Sequence, residues 1–194
     1  MKRRIAFIVA VVAVAVCADF LGSLCARQFS VPLYLYSVLT IAATALGGLW
    51  AGIAVAVLSN ATLQLIDSYM LPFTFCHIST AVLAWLTFRH HQKRAAAQAH
   101  TARPAPLELD TFIWAGFWSA ISNAILGNVT VDVLFSSNTV EHINNTVQAI
   151  YIAVPNLTFA TYFSGLLMNL ADKTISALVS FAAYLLADRH TGNL

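Results

Sequence analysis

The sequence predicts an all-helical integral membrane protein: a six-helix transmembrane bundle with an outward-facing pocket and an extra outer-surface helix before the last span. Hydrophobic residues make up 59% of the 194 residues and charged residues only 9%, whereas a soluble domain is about half apolar and about a quarter charged. The second observation is a series of apolar runs, since a helix needs roughly 20 apolar residues to cross a bilayer. The third is that Lys and Arg concentrate between alternate runs. We expect residues 1–194 to form a single transmembrane domain.

We place the spans from the apolar runs and from the Pro and Gly residues at their boundaries. The first run follows Met1-Lys2-Arg3-Arg4 and is too long for a signal peptide, so we interpret it as a retained helix. Pro32 suits the first turn of the second span, and Gly47-Gly48 makes a tight turn into the third. The predicted spans are 5–24, 32–46, 49–66, 72–88, 111–134 and 167–186, with a cytoplasmic linker over 89–110.

Residues 145–187 are the ambiguous region. They hold too many apolar residues for a loop and too many residues for one helix. We favour an outer-surface or partly inserted helix at about 145–166, followed by span six. The alternative is two full spans, which would give seven helices and an outside C-terminus.

Basic residues orient the bundle, because Lys and Arg are enriched in cytoplasmic loops. Six spans with the N-terminus inside leave only Arg27 and Lys173 outside the cytoplasmic segments. The basic residues then inside are Lys2, Arg3, Arg4, Arg89, Lys93, Arg94, Arg103 and Arg189. We therefore expect both termini in the cytoplasm.

With this orientation, the polar side chains within the spans fall mainly in the outer half of the membrane. A channel would need polar groups along the whole thickness. The one-sided distribution predicts a binding pocket that opens outward and ends halfway. The candidate substrate-binding residues are Tyr34, Tyr36, Asn60, Gln64, His77, Asn128, Asp132, Asn169, Asp172 and Lys173.

Some of these residues also have a purely structural interpretation. Asn and Gln within spans often only join helices, at about 0.6–2 kcal/mol each, and this applies to Asn60, Gln64 and, outside the candidate set, Asn123. The side chain of His77 can form a hydrogen bond between packed helices. Asp67 can lie in the outer loop.

The pair Asp172-Lys173 is the most informative feature. An ionised group at membrane depth costs about 2.5–3.5 kcal/mol, and sequence neighbours lie about 100° apart on a helix, so they need not pair. An unmatched Lys173 would anchor an anionic ligand group such as a carboxylate. The alternative is a structural ion pair with Asp132 or Asp172. On the first interpretation, Lys173→Ala weakens ligand binding and leaves the fold intact.

Span one carries small side chains on one face, Ala6, Ala10, Ala13 and Cys17. Such a face lets another helix approach closely. The residues alone leave open whether that helix belongs to a partner subunit or to this chain.

The sequence lacks the motifs of other functional classes. Cys17, Cys25 and Cys76 have no metal-ligand or CxxC spacing, so we expect small buried thiols and no metal. A phosphate-binding glycine loop and a basic arm are both missing, which argues against ATP chemistry and nucleic acid. We find no convincing catalytic constellation, and we predict neither enzymatic activity nor a cofactor.

The order of these features resembles the substrate-binding S components of energy-coupling factor (ECF) transporters, which capture vitamins and related micronutrients. The most specific stretch is 169–176 (NLADKTIS), close to the N-L-x-D-K-x-x-S start of that family's sixth helix. More permissive are Ala6-x-x-x-Ala10, residues 31–37 (VPLYLYS) with the glycine turn that follows, and 127–132 (GNVTVD). Tyr36 departs from the pattern, since many relatives have aspartate there, and this indicates a different ligand contact.

The resemblance implies a subunit of the prokaryotic cell membrane. Its partners would be a transmembrane coupling subunit, docked on the face that includes Ala6 and Ala10, and two ATP-binding-cassette ATPases. Residues 27–33 would act as a lid, and 145–166 would belong to an outer connection near the ligand.

The function predicted from the sequence is capture of a small micronutrient for uptake. Lys173, Asn169 and Asn128 would orient the solute, and Tyr34, Tyr36 and Phe29 would cover it. A sensory or scaffold domain remains an alternative. So does a self-contained secondary carrier, although the apolar inner halves and the lack of a visible inverted repeat argue against it.

Overall fold

The computed structural model describes residues 2–29, 31, 33–99, 106–135 and 141–191. All secondary structure in these ranges is helical, which confirms the all-helical prediction. The elements are α1 (Lys2–Gln28), α2 (Thr40–Gly47), α3 (Leu49–Leu63), a 3₁₀ turn (Leu71–Phe73), α4 (Thr74–Ala99), α5 (Leu109–Phe135), α6 (Glu141–Ala153) and α7 (Leu157–Thr191). Arg103 lies outside the described residues.

Within the ranges that the structure describes, three stretches of helix are long and apolar enough to cross a membrane: Lys2–Gln28, Leu71–Ala97 and Leu157–Ala187. Large apolar side chains on their outward faces stay exposed, among them Val9, Phe75 and Leu178. Such exposure suits contact with lipid, and these are the properties of a membrane protein. Helix α5, with 27 residues, has a similar length.

The predicted second span is wrong in its first half. Residues 33–39 are not helical, and α2 comprises only Thr40–Gly47. The reason lies in two buried carboxylates that bind the backbone of this segment. The N–H of Leu35 donates to Asp172 at 2.7 Å, and the N–H of Leu39 donates to Asp19 at 3.2 Å. Irregular backbone is tolerated at membrane depth where protein groups satisfy it in this way.

The tight turn predicted between the second and third spans is present. Helix α2 ends at Gly47 and α3 begins at Leu49. Gly48 between them has a φ of +80°, a left-handed conformation that glycine adopts without steric cost.

The region 145–187 divides differently from the prediction. Helix α6 ends at Ala153, and the predicted outer helix is too long because Pro155 interrupts it. Asn156 then caps α7, its Oδ1 accepting the N–H of Phe159 at 3.0 Å. Residues 157–166 therefore belong to the same helix as span six. Helix α6 has 13 residues and is about 20 Å long, and the seven-helix alternative would need this short helix to cross the membrane.

The interior of the bundle is layered along its length. An apolar cluster between the middle of α4 and the start of α5 includes Ile41, Phe88 and Phe112, with Phe181 and Tyr184 packed against it. Above this cluster lies a layer of buried polar side chains, and above that a cavity. Helices α5 and α7 pack closely at Gly116, where a Cβ would lie 2.7 Å from the carbonyl oxygen of Lys173.

Candidate solute-binding cavity

A cavity lies where α1 and α5 end and where α4 and α7 begin. Its volume is about 60 Å³, which is room for a few water-sized groups. The sequence placed polar groups at this end of the spans. A solute of vitamin size requires the walls to move apart.

One wall of the cavity is aromatic. Tyr34 and Tyr36 line it from the non-helical segment 33–39, with ring centroids 5.5 Å apart. Phe73 and Met70 continue this wall from the start of α4. Such a surface gives a small solute apolar and ring-stacking contacts.

The opposite wall carries amide side chains. Asn123 and Asn128 line the cavity from α5, and Asn169 lines it from α7. Asn123 also joins helices, because its amide bonds Ser79 at 2.8 Å and Thr80 at 3.0 Å. Of the predicted binding residues, the cavity thus brings together Tyr34, Tyr36, Asn128 and Asn169.

Asn169 has an unused acceptor. Its Nδ2 donates to the carbonyl of Gly165 at 2.8 Å, whereas its Oδ1 is buried and has no hydrogen-bond partner among the described residues. Leaving a buried acceptor unpaired costs about 1–3 kcal/mol. A donor on a bound solute, reached by a small rotation of this side chain, would remove that cost.

Lys173 forms the structural ion pair with Asp172 that was the alternative interpretation, so the expectation of an unmatched ammonium group was wrong. Its Nζ lies 2.6 Å from Asp172 Oδ2 and 2.5 Å from the hydroxyl of Ser37, and the lysine is fully buried. The rotamers bring these sequence neighbours together although their Cβ atoms diverge. Neither Asp172 nor Lys173 lines the cavity. The ammonium group lies 5.1 Å from the ring centroid of Tyr36 and supports the aromatic wall from behind.

Asp19 is a site-forming residue that the sequence analysis missed. It is fully buried in α1, and its carboxylate accepts hydrogen bonds from Ser59 at 2.8 Å and from the N–H of Leu39. Asp172 and Asp19 therefore bind the segment that carries Tyr34 and Tyr36 at two points, Leu35 and Leu39. The available signal was the cost of an aspartate inside an apolar span, which applies to Asp19 as it does to Asp172.

Asn60 and His77 lie buried below the cavity and do not line it. Asn60 Nδ2 is 2.8 Å from His77 Nδ1, and His77 Nε2 is 2.5 Å from the hydroxyl of Thr40. His77 Nε2 also lies 3.7 Å from Asp19 Oδ2. These contacts join α1, α2, α3 and α4, in line with the helix-packing interpretation.

Gln64 and Asp132 lie away from the cavity walls. Gln64 holds the loop after α3, donating to Ser68 O at 2.7 Å and accepting the N–H of Leu71 at 3.0 Å. Asp132 accepts a hydrogen bond from Tyr162 at 2.5 Å on the exposed surface. At the cavity mouth, Arg27 pairs with Asp67 at 3.5 Å.

The cavity is closed toward the basic end of the bundle. Below the polar layer, Phe112 packs on Phe88 and Phe181 with centroids 5.0 and 5.3 Å apart. Among the described residues, no member of this cluster lines the cavity. The cavity therefore ends blindly inside the bundle.

The small-residue face of α1 does not pack inside the described part of the chain. Ala6, Ala10, Ala13 and Cys17 are exposed, whereas the opposite face packs through Ala15 onto Val55. The expected burial of the cysteines holds for Cys76 only, because Cys17 and Cys25 are both exposed.

No family model matches the chain, and comparisons with curated proteins and with solved structures find no match. The resemblance to ECF S components rests on the residues quoted above.

Proposed function

We propose that this protein is the membrane subunit that captures a small micronutrient for uptake and works with a separate ATP-driven module. The observation that supports this best is the blind cavity. A capture subunit needs a lined site with a closed floor, whereas a channel needs polar groups along its whole length. The aromatic cluster around Phe112 provides the floor.

The proposed orientation follows from charge. Helix α1 carries Lys2, Arg3 and Arg4 at its end away from the cavity, and α4 carries Arg89 and Arg94 at that same end. Basic residues mark the cytoplasmic side, so the cavity faces outward and both termini are cytoplasmic. We place the protein in a prokaryotic cell membrane.

The proposed six spans are α1, α2 with the preceding segment 33–39, α3, α4, α5 and α7. Helix α6 lies on the outer surface and packs on α7 through Val147 and Ala160. In this arrangement the short α2 crosses together with non-helical backbone, whose ends are bound by Asp19 and Asp172.

The partners in this proposal are a transmembrane coupling subunit and ATP-binding-cassette ATPases. The exposed face of Ala6, Ala10 and Ala13 supports docking, because small side chains let another helix approach closely. No ATPase motif occurs in the chain itself.

The solute would contact Tyr34, Tyr36, Asn128 and Asn169. An anionic group on the solute was the expectation from an unmatched Lys173. Because Asp172 neutralises this lysine, we now propose an uncharged solute with an N–H or O–H donor for Asn169.

Reconstitution of the purified chain in vesicles tests the proposal. The vesicles are incubated with a metabolite extract of bacterial cells, and bound and internal small molecules are measured by mass spectrometry. We expect a bound solute without accumulation inside. Accumulation without partners would instead identify a secondary carrier, and the lack of any bound solute would favour a sensor or scaffold.

A further inference from the structure

A second concave site lies between α4 and α5, near the end of the bundle away from the cavity. This α4–α5 groove is open and has a volume of about 730 Å³. It shares no lining residue with the cavity. Its size suits a much larger ligand than the few water-sized groups that the cavity admits.

The groove is apolar toward the middle of the bundle. Leu83 and Leu86 line it from α4, and Trp114 and Trp118 line it from α5. The two indole rings stack with centroids 6.3 Å apart and an interplanar angle of 24°. They are 52% and 49% exposed, so about half of each ring is left for a ligand.

The groove becomes polar toward the basic end. His90, His91 and Arg94 line it from α4, and Asp110 lines it from the first turn of α5. Leu83 and Arg94 are separated by about 16 Å along α4. A bilayer shows the same change from apolar to charged surroundings where its acyl chains meet its headgroups.

Two charged side chains in the groove have hydrogen-bonding atoms that the described residues leave unused. Within the described residues, the guanidinium of Arg94 makes no hydrogen bond or ion pair. The Oδ1 of Asp110 accepts from the N–H and hydroxyl of Thr111 at 2.6 and 3.1 Å, and its Oδ2 makes no described contact. His91 is already engaged, since its Nδ1 lies 3.1 Å from the hydroxyl of Thr111.

We propose that the α4–α5 groove binds a phospholipid whose headgroup carries both a phosphate and a primary ammonium group, as in phosphatidylethanolamine. Arg94 donates to the phosphate, which a planar guanidinium binds with two parallel hydrogen bonds. Asp110 accepts from the ammonium group, and an acyl chain lies along Leu86 and Trp118. A free phosphate would leave the apolar part of the groove empty, and an anionic headgroup such as that of phosphatidylglycerol has no ammonium group to pair with Asp110.

Native mass spectrometry of the purified full chain tests this site. The delipidated protein is titrated with phosphatidylethanolamine, phosphatidylcholine or phosphatidylglycerol of identical acyl chains. We expect phosphatidylethanolamine to bind most tightly. Arg94→Gln should weaken it about tenfold, and the matched control Lys93→Gln, one residue away on α4 and not lining the groove, should leave it unchanged.

Asp110→Asn separates headgroup recognition from general lipid binding. This variant should bind phosphatidylethanolamine no better than phosphatidylglycerol. Circular dichroism and size-exclusion elution like those of the wild type establish that it is folded, and Asp110→Glu, which keeps the carboxylate, should retain the preference. Equal binding of all three lipids by the wild type, or unchanged binding by Arg94→Gln, would overturn the proposal.

Discussion

The ammonium group of Lys173 lies 2.6 Å from the carboxylate of Asp172, its neighbour in sequence, and both side chains are fully buried. The same carboxylate accepts the backbone N–H of Leu35, and the ammonium group donates to Ser37. Helix α7 thereby holds the non-helical segment that carries the aromatic wall. Lys173 could be interpreted from the sequence as a ligand anchor. In the structure, its ion pair with Asp172 supports the cavity wall.

This geometry predicts a stability defect for Lys173→Met, because Asp172 would remain buried and unpaired. Breaking a buried pair by removing one partner costs about 3–5 kcal/mol. We expect a large drop in the thermal midpoint of the detergent-solubilised protein. The double variant Asp172→Asn with Lys173→Met should recover part of that loss, and the outward-facing control Thr174→Ala should change little. A wild-type midpoint for Lys173→Met would show that the pair does not support the fold. The sequence-based prediction of an intact fold with weakened binding would then stand.

Asp19 should matter as much as the residues that the sequence singled out. Asp19→Leu removes the acceptor for Ser59 and for the N–H of Leu39, and leaving buried donors unpaired costs about 1–3 kcal/mol each. We expect a lower thermal midpoint and weaker solute binding, with Cys17→Leu on the exposed face of α1 as the control. The effects of Asp19→Leu and Ser59→Ala should be less than additive. Strict additivity would argue against their hydrogen bond.

Asn169 should contribute to binding without contributing to the stability of the empty protein. Asn169→Leu removes the unpaired Oδ1, so the solute-free thermal midpoint should not fall, whereas solute affinity should fall about tenfold. A bacterial metabolite extract, separated by ion exchange into neutral and anionic fractions, provides the probes. The neutral fraction should stabilise the wild type and not Asn169→Leu. Stabilisation by the anionic fraction alone would restore the anionic-ligand hypothesis.

The proposed orientation predicts the accessibility of single cysteines. In a background with Cys17, Cys25 and Cys76 replaced by serine, Ser68→Cys places a thiol in the exposed loop after α3. Lys93→Cys places a thiol on the exposed end of α4. A membrane-impermeant thiol reagent should label Ser68→Cys in intact cells and Lys93→Cys only after permeabilisation. The reverse labelling pattern would show that the bundle has the opposite orientation in the membrane.

The sequence predicted the features that depend on composition and on local turn signals such as glycine. The apolar runs predicted α1, the first part of α4 and the second part of α7, and Gly47-Gly48 predicted the turn between α2 and α3. The start of α2 was missed because residues 33–39 are apolar enough for a helix. Their backbone is instead bound by Asp19 and Asp172, which are distant in sequence.

The same limit applies to the cavity. The topology placed Asn128 and Asn169 at the same end of the bundle, and both line the cavity. It could not place Lys173, because rotamers and the neighbouring Ser37 decide that its ammonium group turns toward Asp172. Nor could spacing separate the wall residues from Asn60 and His77, which differ from them only in depth.

Gly127 offers the most direct test of the claim that the cavity is a solute-binding site. It lines the cavity, and a Cβ added there meets no atom within 4 Å. A Cβ at this position is therefore free of clashes. We expect the side chain of Gly127→Leu to occupy part of the cavity, and the helical stability of α5 to rise by up to about 1 kcal/mol.

The measurement is mass spectrometry of small molecules that copurify with the wild type and with Gly127→Leu. We expect a stoichiometric solute on the wild type and its loss from a variant with an equal or higher thermal midpoint. The same solute on both proteins, or none on either, would contradict a solute-binding role for the cavity.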